Sequence, residues 1–361
     1  MRKLLNTLFV TSENAYLSLD GENVVASRDG QEAARYPLHM LSGILSFSYA
    51  GASPALMGAC AKRGVSLAFC TPGGRFLARV GGEGGGNVLL RRSQYRAAGY
   101  EPDAVVLLRR AQYRAADDPG SCCPIERSMV FGKVYNARWS IERTRRDHAL
   151  RVDEAALSAA SDTLQSLLPS VAAEIELERL RGLEGKGAAA YFGVLDEMIL
   201  NAKDCFFFRE RSRRPPLDPF NALLSFAYSL LALDCAAALE SVGLDAYVGF
   251  LHRDRPGRTS LALDLMEELR PCMADRFALT LVNNRVLRPE DFETSESGAV
   301  LLRDEARRVF LKHWQEKKQD TLTHPYLKEK LPWGLVPYVQ ALLLARCLRG
   351  DLDAYPPFLW K

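Results

Sequence analysis

The chain changes character at a run of glycines. Residues Gly81 to Gly86, GGEGGG, offer almost no side chain to fix a path, and the residue patterns on either side follow different periods. Ahead of the run, LLNTLFV and AYLSLD are short apolar or alternating stretches, and Asp20-Gly21 predicts a hairpin turn into a strand at Val24-Val25. SPALMGACAKRG carries apolar residues at helical spacing until Gly64 stops it. VSLAFCT and FLARV then read as strands around Pro72-Gly73-Gly74. Beyond the glycines, helical patterns dominate at 153–182, 221–243, 298–320 and 335–350, with Gly and Pro punctuating their ends. The fold class this predicts is α+β. A small β-rich domain occupies 1–80, a joint 81–120, and a larger all-helical domain 121–361.

The joint contains a tandem repeat. VLLRRSQYRAA at Val88–Ala98 recurs as VLLRRAQYRAA at Val106–Ala116, offset by 18 residues. A continuous helix would show both copies on one face, since 18 residues make about five turns. Pro102 argues against continuity, so a looped-out copy is the competing reading. The segment is either a doubled basic-aromatic patch for nucleic acid or a tolerated insertion at a flexible place. Net charge does not decide: Lys and Arg number 47 against 44 Asp and Glu. Distribution is more informative, with thirteen basic and seven acidic residues between Val88 and Arg151. A second knot of Arg209, Arg211, Arg213 and Arg214 follows Phe206, Phe207 and Phe208. Clustered arginines suit phosphate contacts, although a solvated surface has the same composition.

Eight cysteines form no CxxC pair and no zinc spacing, and no P-loop motif occurs. No apolar run approaches the ~18 residues a membrane helix needs, and no signal peptide opens the sequence, which predicts reduced thiols and a cytoplasmic location. The most chemically suggestive stretch runs from Gly249 to Pro271, GFLHRDRPGRTSLALDLMEELRP. His252 precedes a helical pattern whose polar face is Asp264, Glu267 and Glu268, with Leu261, Leu265, Met266 and Leu269 opposite. A compact acid face beside an imidazole can hold a hard divalent metal and act on phosphodiesters, although a DxxEE face is usually a solvated one. Glu184 opens a second notable stretch, EGKGAAAYF, whose small residues allow a close approach by backbone or ligand, or simply a tight helix contact.

Together, EGxxAxxYF at Glu184–Phe192 and the GFLH…SLALDLMEELRP block resemble the metal-dependent integrase of CRISPR adaptation, the larger protein of the spacer-acquisition pair, in its type I-C form. SPALMGACAKRGVSLAFCTPGGRFLARV, GNVLLRRSQYRAA, RRPPLDPFNALLSFAYSLL and DAYPPF extend the resemblance over nearly the whole chain. The resemblance implies three metal ligands, Glu184, His252 and Glu267, with Mg²⁺ or Mn²⁺ as cofactor. Asp264 would assist nearby through a water or a second ion, and Glu268 could replace Glu267 if the helix were phased differently. The implied reaction joins prespacer 3′-hydroxyl ends to a CRISPR array by transesterification.

The implied partners are double-stranded DNA of prespacer and repeat, a second copy as homodimer, and a small ferredoxin-like protein in a heterohexamer; no membrane is involved. Arg209, Arg211, Arg213, Arg214, Asn221 and Lys312 are candidate DNA contacts, with helix capping as the other role for Asn221. Lys133, Asn136 and Arg138 keep only a skeleton of the family's KxxNxR-type segment, which bears on DNA or dimer contacts and is expected to leave the metal site untouched. A stand-alone nuclease acting on branched or single-stranded DNA is the alternative activity, and a non-catalytic DNA scaffold a third reading.

Overall fold

A computed structural model describes residues 6–12, 14–72, 74, 76–80, 104–253 and 255–361. The Gly81–Gly86 joint and the first repeat copy lie outside the described residues. The chain divides into two compact units, 1–102 with 302–319, and 103–301 with 320–361.

In the first unit, strands β2 (Tyr16–Asp20), β3 (Asn23–Arg28) and β4 (Gln31–Pro37) form an antiparallel meander. The expected hairpin is present, with Asp20 paired to Asn23 across the turn. A second sheet has the order β1 (Thr7–Val10), β5 (Gly43–Ser46), β6 (Ser66–Cys70), β7 (Phe76–Arg79), the first three parallel and the last antiparallel. Helix α1 (Pro54–Arg63) starts because the Ser53 hydroxyl accepts the Leu56 amide at 3.2 Å, and it ends at Gly64 in the left-handed region. Leu17, Val24, Leu38, Ile44, Leu56 and Leu67 fill the core beneath these elements.

The second unit is mainly helical. It comprises α2 (Ala104–Asp117), α3 (Pro119–His148), α4 (Glu154–Ala173), α5 (Leu177–Gly193), α6 (Pro219–Ser241), α7 (Ser260–Glu267) and α8 (Arg276–Asn283). A π-helical turn, Arg270–Asp275, separates α7 from α8 and contains Pro271, which has no amide to give to an ordinary turn. The stretch expected as a single helical pattern over 153–182 is two helices, α4 and α5, broken at Glu174–Glu176. The stretch 298–320 is likewise not all helix. Val300–Leu302 forms strand β9 beside β8 (Phe292–Thr294), and helix α9 (Asp304–Gln319) follows. Helix α9 groups with the N-terminal sheets rather than with the helical domain to which its sequence position assigned it. The chain returns to the second unit through strands β10 (Thr321–Thr323) and β11 (Lys330–Pro332) and closes on α10 (Val336–Leu348).

Helix α6 corrects one expectation, because it is long and apolar enough to cross a membrane, with a window hydropathy of 1.8. Its apolar residues serve packing: Leu223, Leu224, Ala227, Leu231 and Leu239 are buried inside the helical unit. All eight cysteines are free.

The described repeat copy, Val106–Ala116, is a structural part of this unit. Gln112 donates from Nε2 to the carbonyls of Asp245 and Val248 at 2.7 and 2.9 Å, and its Oε1 accepts the Asp245 amide at 2.9 Å. Arg109 donates to Gly243 O at 3.0 Å. Helix α2 thereby fixes the segment that leads into His252.

Candidate active site

Three elements of the helical unit converge on one acidic centre. Helix α7 supplies Asp264 and Glu267, α5 supplies Glu184, and the loop ahead of α7 supplies His252. The loop is held by Asp264, which is fully buried. Its Oδ2 accepts the amides of Phe250 and Leu251 at 2.7 and 3.2 Å, and its Oδ1 accepts the His252 amide at 3.0 Å. Oδ1 also lies 2.6 Å from His252 Nδ1, which donates to it, so the ring is held with Nε2 turned toward Glu267. Gly249 makes this possible. A Cβ there would stand 2.7 Å from Ser260 Cβ and 2.9 Å from Asp264 Oδ2, so only glycine lets the loop lie so close to α7. From α5, the Arg181 guanidinium donates to Leu251 O at 3.2 Å through Nε and braces the loop from the other side.

Glu267 is 4% exposed, and its two oxygens face different partners. Oε1 lies 2.8 Å from Arg270 Nη1 and 3.8 Å from His252 Nε2. Oε2 lies 2.6 Å from the ammonium of Lys133, which also contacts Glu184 Oε1. Burial alone would raise the Glu267 carboxyl, but Arg270, Lys133 and His252 outweigh it and bring it down to about 2. Burial likewise opposes the Lys133 charge, and Glu267 and Glu184 more than offset it. Beside His252 a cleft of about 520 Å³ opens between Tyr113, Asp117, Arg181, Gly249 and Arg253.

The structure therefore links Glu184 to Glu267 through Lys133, sets His252 beside the other Glu267 oxygen, and gives Asp264 a holding role, accepting from three amides and the imidazole. Glu268 points elsewhere. Its oxygens accept from Gln340 Nε2 at 2.9 Å, from the Tyr355 hydroxyl and from the Phe358 amide at 2.7 Å, so it does not stand in for Glu267.

Of the expected DNA contacts, Arg209, Arg213 and Arg214 are exposed. Arg211 is committed to Asn221 Oδ1 at 2.7 Å and to Ser225 Oγ at 3.0 Å, and it stacks on Tyr228. Asn221 is buried and donates to Glu210 O and Asp218 Oδ2, with Asp218 capping α6 through the Asn221 amide. Lys312 is exposed on α9, in the other unit.

Sequence reasoning missed the part played by α3. Lys133 was expected to bear only on DNA or dimer contacts, yet it lies inside the acid pair. Glu126, two turns earlier, is fully buried, and burial and then the neighbouring Asp264 push its carboxyl well above the ordinary range. Asn136 donates to Glu268 O and Phe358 O at 2.7 and 2.8 Å. The available signal was polar residues at 126, 133, 136 and 140 on a face otherwise occupied by Met129, Val130 and Ala137.

The donors are of the right kind for a hard divalent ion, and the Lys133 ammonium shows that the acid pair receives a cation. In this arrangement, however, no three His, Cys, Asp or Glu side chains among the described residues stand at metal-ligand spacing. Lys133 fills the space on which Glu184 and Glu267 converge.

Comparison with known proteins is consistent along the chain. The family described as CRISPR associated protein Cas1 matches residues 8–105 and 98–316. A protein of Rhodospirillum rubrum named CRISPR-associated endonuclease Cas1 2 is 51% identical, and one of Chlorobaculum tepidum named CRISPR-associated endonuclease Cas1 1 is 45% identical; each alignment covers 100% of both chains. A casposase bound to its integration product has the same fold, with TM-score 0.78 at 19% identity over 99% of this chain and 94% of that one. A Cas1 protein of Thermotoga maritima gives TM-score 0.75 at 20% identity over 96% and 97%.

Proposed function

Because this chain belongs to the Cas1 family of CRISPR-associated proteins, we propose that it is a metal-dependent DNA integrase and endonuclease of CRISPR adaptation. Its substrates would be prespacer 3′-hydroxyl ends and the phosphodiesters of a CRISPR repeat. The observation that carries this reading is Glu267, which shares the Lys133 ammonium with Glu184 through Oε2 and faces His252 Nε2 through Oε1, the three groups coming from separate elements.

Glu184, Glu267 and His252 Nε2 are the groups that would hold Mg²⁺ or Mn²⁺. When bound, such an ion neutralises charge on the scissile phosphate and favours ionisation of the attacking hydroxyl. The protein's own contribution is orientation. Asp264 keeps the proton on His252 Nδ1, and Gly249 and Arg181 fix the loop that carries the imidazole. Arg270 holds Glu267 ionised and turned toward the cation position. The nucleophile and the leaving group are both DNA hydroxyls, so no covalent protein intermediate is required. Exposed Arg213, Arg214 and Arg253 supply phosphate contacts that fix the DNA without reading its sequence.

The reading includes a homodimer and a small ferredoxin-like adaptation partner. A complex described as Cas6-RT-Cas1–Cas2 contains a chain of which 36% shares this fold, with TM-score 0.76, and its Cas2 component motivates the small partner in this reading. The test is half-site joining of a prespacer to a supercoiled CRISPR plasmid, with the small partner and Mn²⁺, in wild type, Glu184→Ala, His252→Ala and Glu267→Ala. Metal-dependent joining lost in all three is the expected result. Absence of joining by wild type, with branched-DNA cleavage intact, would favour a stand-alone nuclease instead.

A further inference from the structure

Lys133 reaches the acidic centre from α3, and its side chain is 13% exposed. Its ammonium contacts Glu184 Oε1 and lies 2.6 Å from Glu267 Oε2, while Arg270 holds the remaining Glu267 oxygen at 2.8 Å. Two carboxylates bound to one small divalent ion bring their oxygens to roughly 2.0–2.2 Å from a common point. An ammonium bridging the same oxygens through hydrogen bonds occupies that point and holds them farther apart. Glu184 and Glu267 thus converge on the ammonium, and His252 Nε2 stands 3.8 Å from the other Glu267 oxygen.

Resting on the metal-dependent reading above, we propose that Lys133 is a resident counter-cation that competes with the divalent ion for Glu184 and Glu267. The ion binds by displacing the ammonium, and the displaced Lys133 becomes a free cation at the edge of the site, within reach of a DNA phosphate. The charge balance favours this exchange. Glu184 and Glu267 are 25% and 4% exposed, so without a cation between them a partly buried and a buried carboxylate would repel each other. Lys133 keeps that pair folded before the metal arrives and raises the metal concentration needed to complete the site.

The experiment measures Mn²⁺ binding by titration with detection of free Mn²⁺ by electron paramagnetic resonance, and thermal unfolding with and without Mn²⁺. Full-length wild type, Lys133→Met, Lys133→Gln and Glu184→Ala are compared. Removing the ammonium is expected to tighten Mn²⁺ binding at least tenfold and to lower the melting temperature without metal. It should also enlarge the rise in melting temperature that Mn²⁺ produces. In wild type, Lys133 should be protected from acetylation by an amine-reactive ester, read by mass spectrometry, and should become several-fold more reactive when Mn²⁺ is added. This readout does not depend on a variant folding.

Equal or weaker Mn²⁺ binding by both Lys133 variants, or Lys133 reactivity unchanged by bound Mn²⁺, overturns the competition while leaving the metal reading in place. Mn²⁺ binding absent from wild type and from both Lys133 variants overturns the metal reading and this inference with it. Binding that is lost only in Glu184→Ala confirms the metal site against which the Lys133 comparison is judged.

Discussion

At His252 the position of one proton depends on one carboxylate. Asp264 accepts from Nδ1 at 2.6 Å and from the amides of Phe250, Leu251 and His252 itself, with the Glu126 carboxyl as a further neighbour. Asp264→Asn is expected to lower Mn²⁺ affinity or joining rate about 10–100-fold, the usual cost of losing a partner that orients a ligand. The protein should remain folded by circular dichroism, and an unchanged affinity and rate would remove Asp264 from its holding role. Gly249→Ala acts on the same contact sterically. A Cβ 2.7 Å from Ser260 Cβ must push the loop off α7, at a cost of about 1–3 kcal/mol read from denaturant unfolding, with joining reduced as His252 moves. The His252 loop and the acid face of α7 were legible in the sequence because a histidine followed by acids at helical spacing is a local pattern. Lys133 and Glu126 were not, because their partners lie 51 and more residues away and only the tertiary fold brings α3 against α5 and α7.

At the scale of an element, α2 shows how a duplication can be accommodated. Gln112 and Arg109 anchor the described copy to residues 243–248, and Leu108 is buried. Deleting 99–116 joins Ala98 to Asp117 and brings Arg91, Gln94 and Tyr95 into the register of Arg109, Gln112 and Tyr113. The deletion variant is therefore expected to be soluble, with a melting temperature close to wild type. Gln112→Ala in the undeleted chain should instead lose about 1–3 kcal/mol by leaving the Asp245 amide and two carbonyls without their partner. A deletion variant that aggregates would show that the two copies are not interchangeable. Propensity and punctuation located α1, α6 and α10 well. They failed at 298–320, where Val300–Leu302 pairs with β8, because a three-residue strand carries too little pattern to interrupt a helical reading.

Over the whole helical unit, buried carboxyls set the pH dependence of stability. Burial lifts Glu268 to about 7, despite the hydrogen bonds from Tyr355, Gln340 and the Phe358 amide, and lifts Asp275 to about 6. Both stand above an unfolded carboxyl, so the native state holds more protons and these groups stabilise most at low pH. Their contribution is lost as pH rises through 6 to 7, up to about 3 kcal/mol for Glu268. Glu267 has the opposite sign, because it is held down to about 2 and its contribution is lost only as pH falls toward that value. Urea midpoints between pH 5 and 7.5 are expected to decline, and Glu268→Gln should flatten that decline from a lower starting stability. A midpoint that climbs over this range would contradict the assignment. At this scale the change from β to helical character across the glycine run was legible, because a switch of period is a property of many residues together. The grouping of 302–319 with the N-terminal sheets was not, since no local pattern records which unit a helix completes.

That discontinuous grouping has a consequence for how the chain is made. The strands of the first unit precede the stretch 103–301, but α9, which belongs to the same unit, is translated only after it. At roughly 5–20 residues per second, the sheets wait on the order of 10 s or more for their last helix. During that interval a ribosome-bound chain carries the sheets of a unit still short of one helix. The vulnerable species in the cell is the half-made protein, and its safe passage depends on the pace of translation and on whatever shields the nascent sheet.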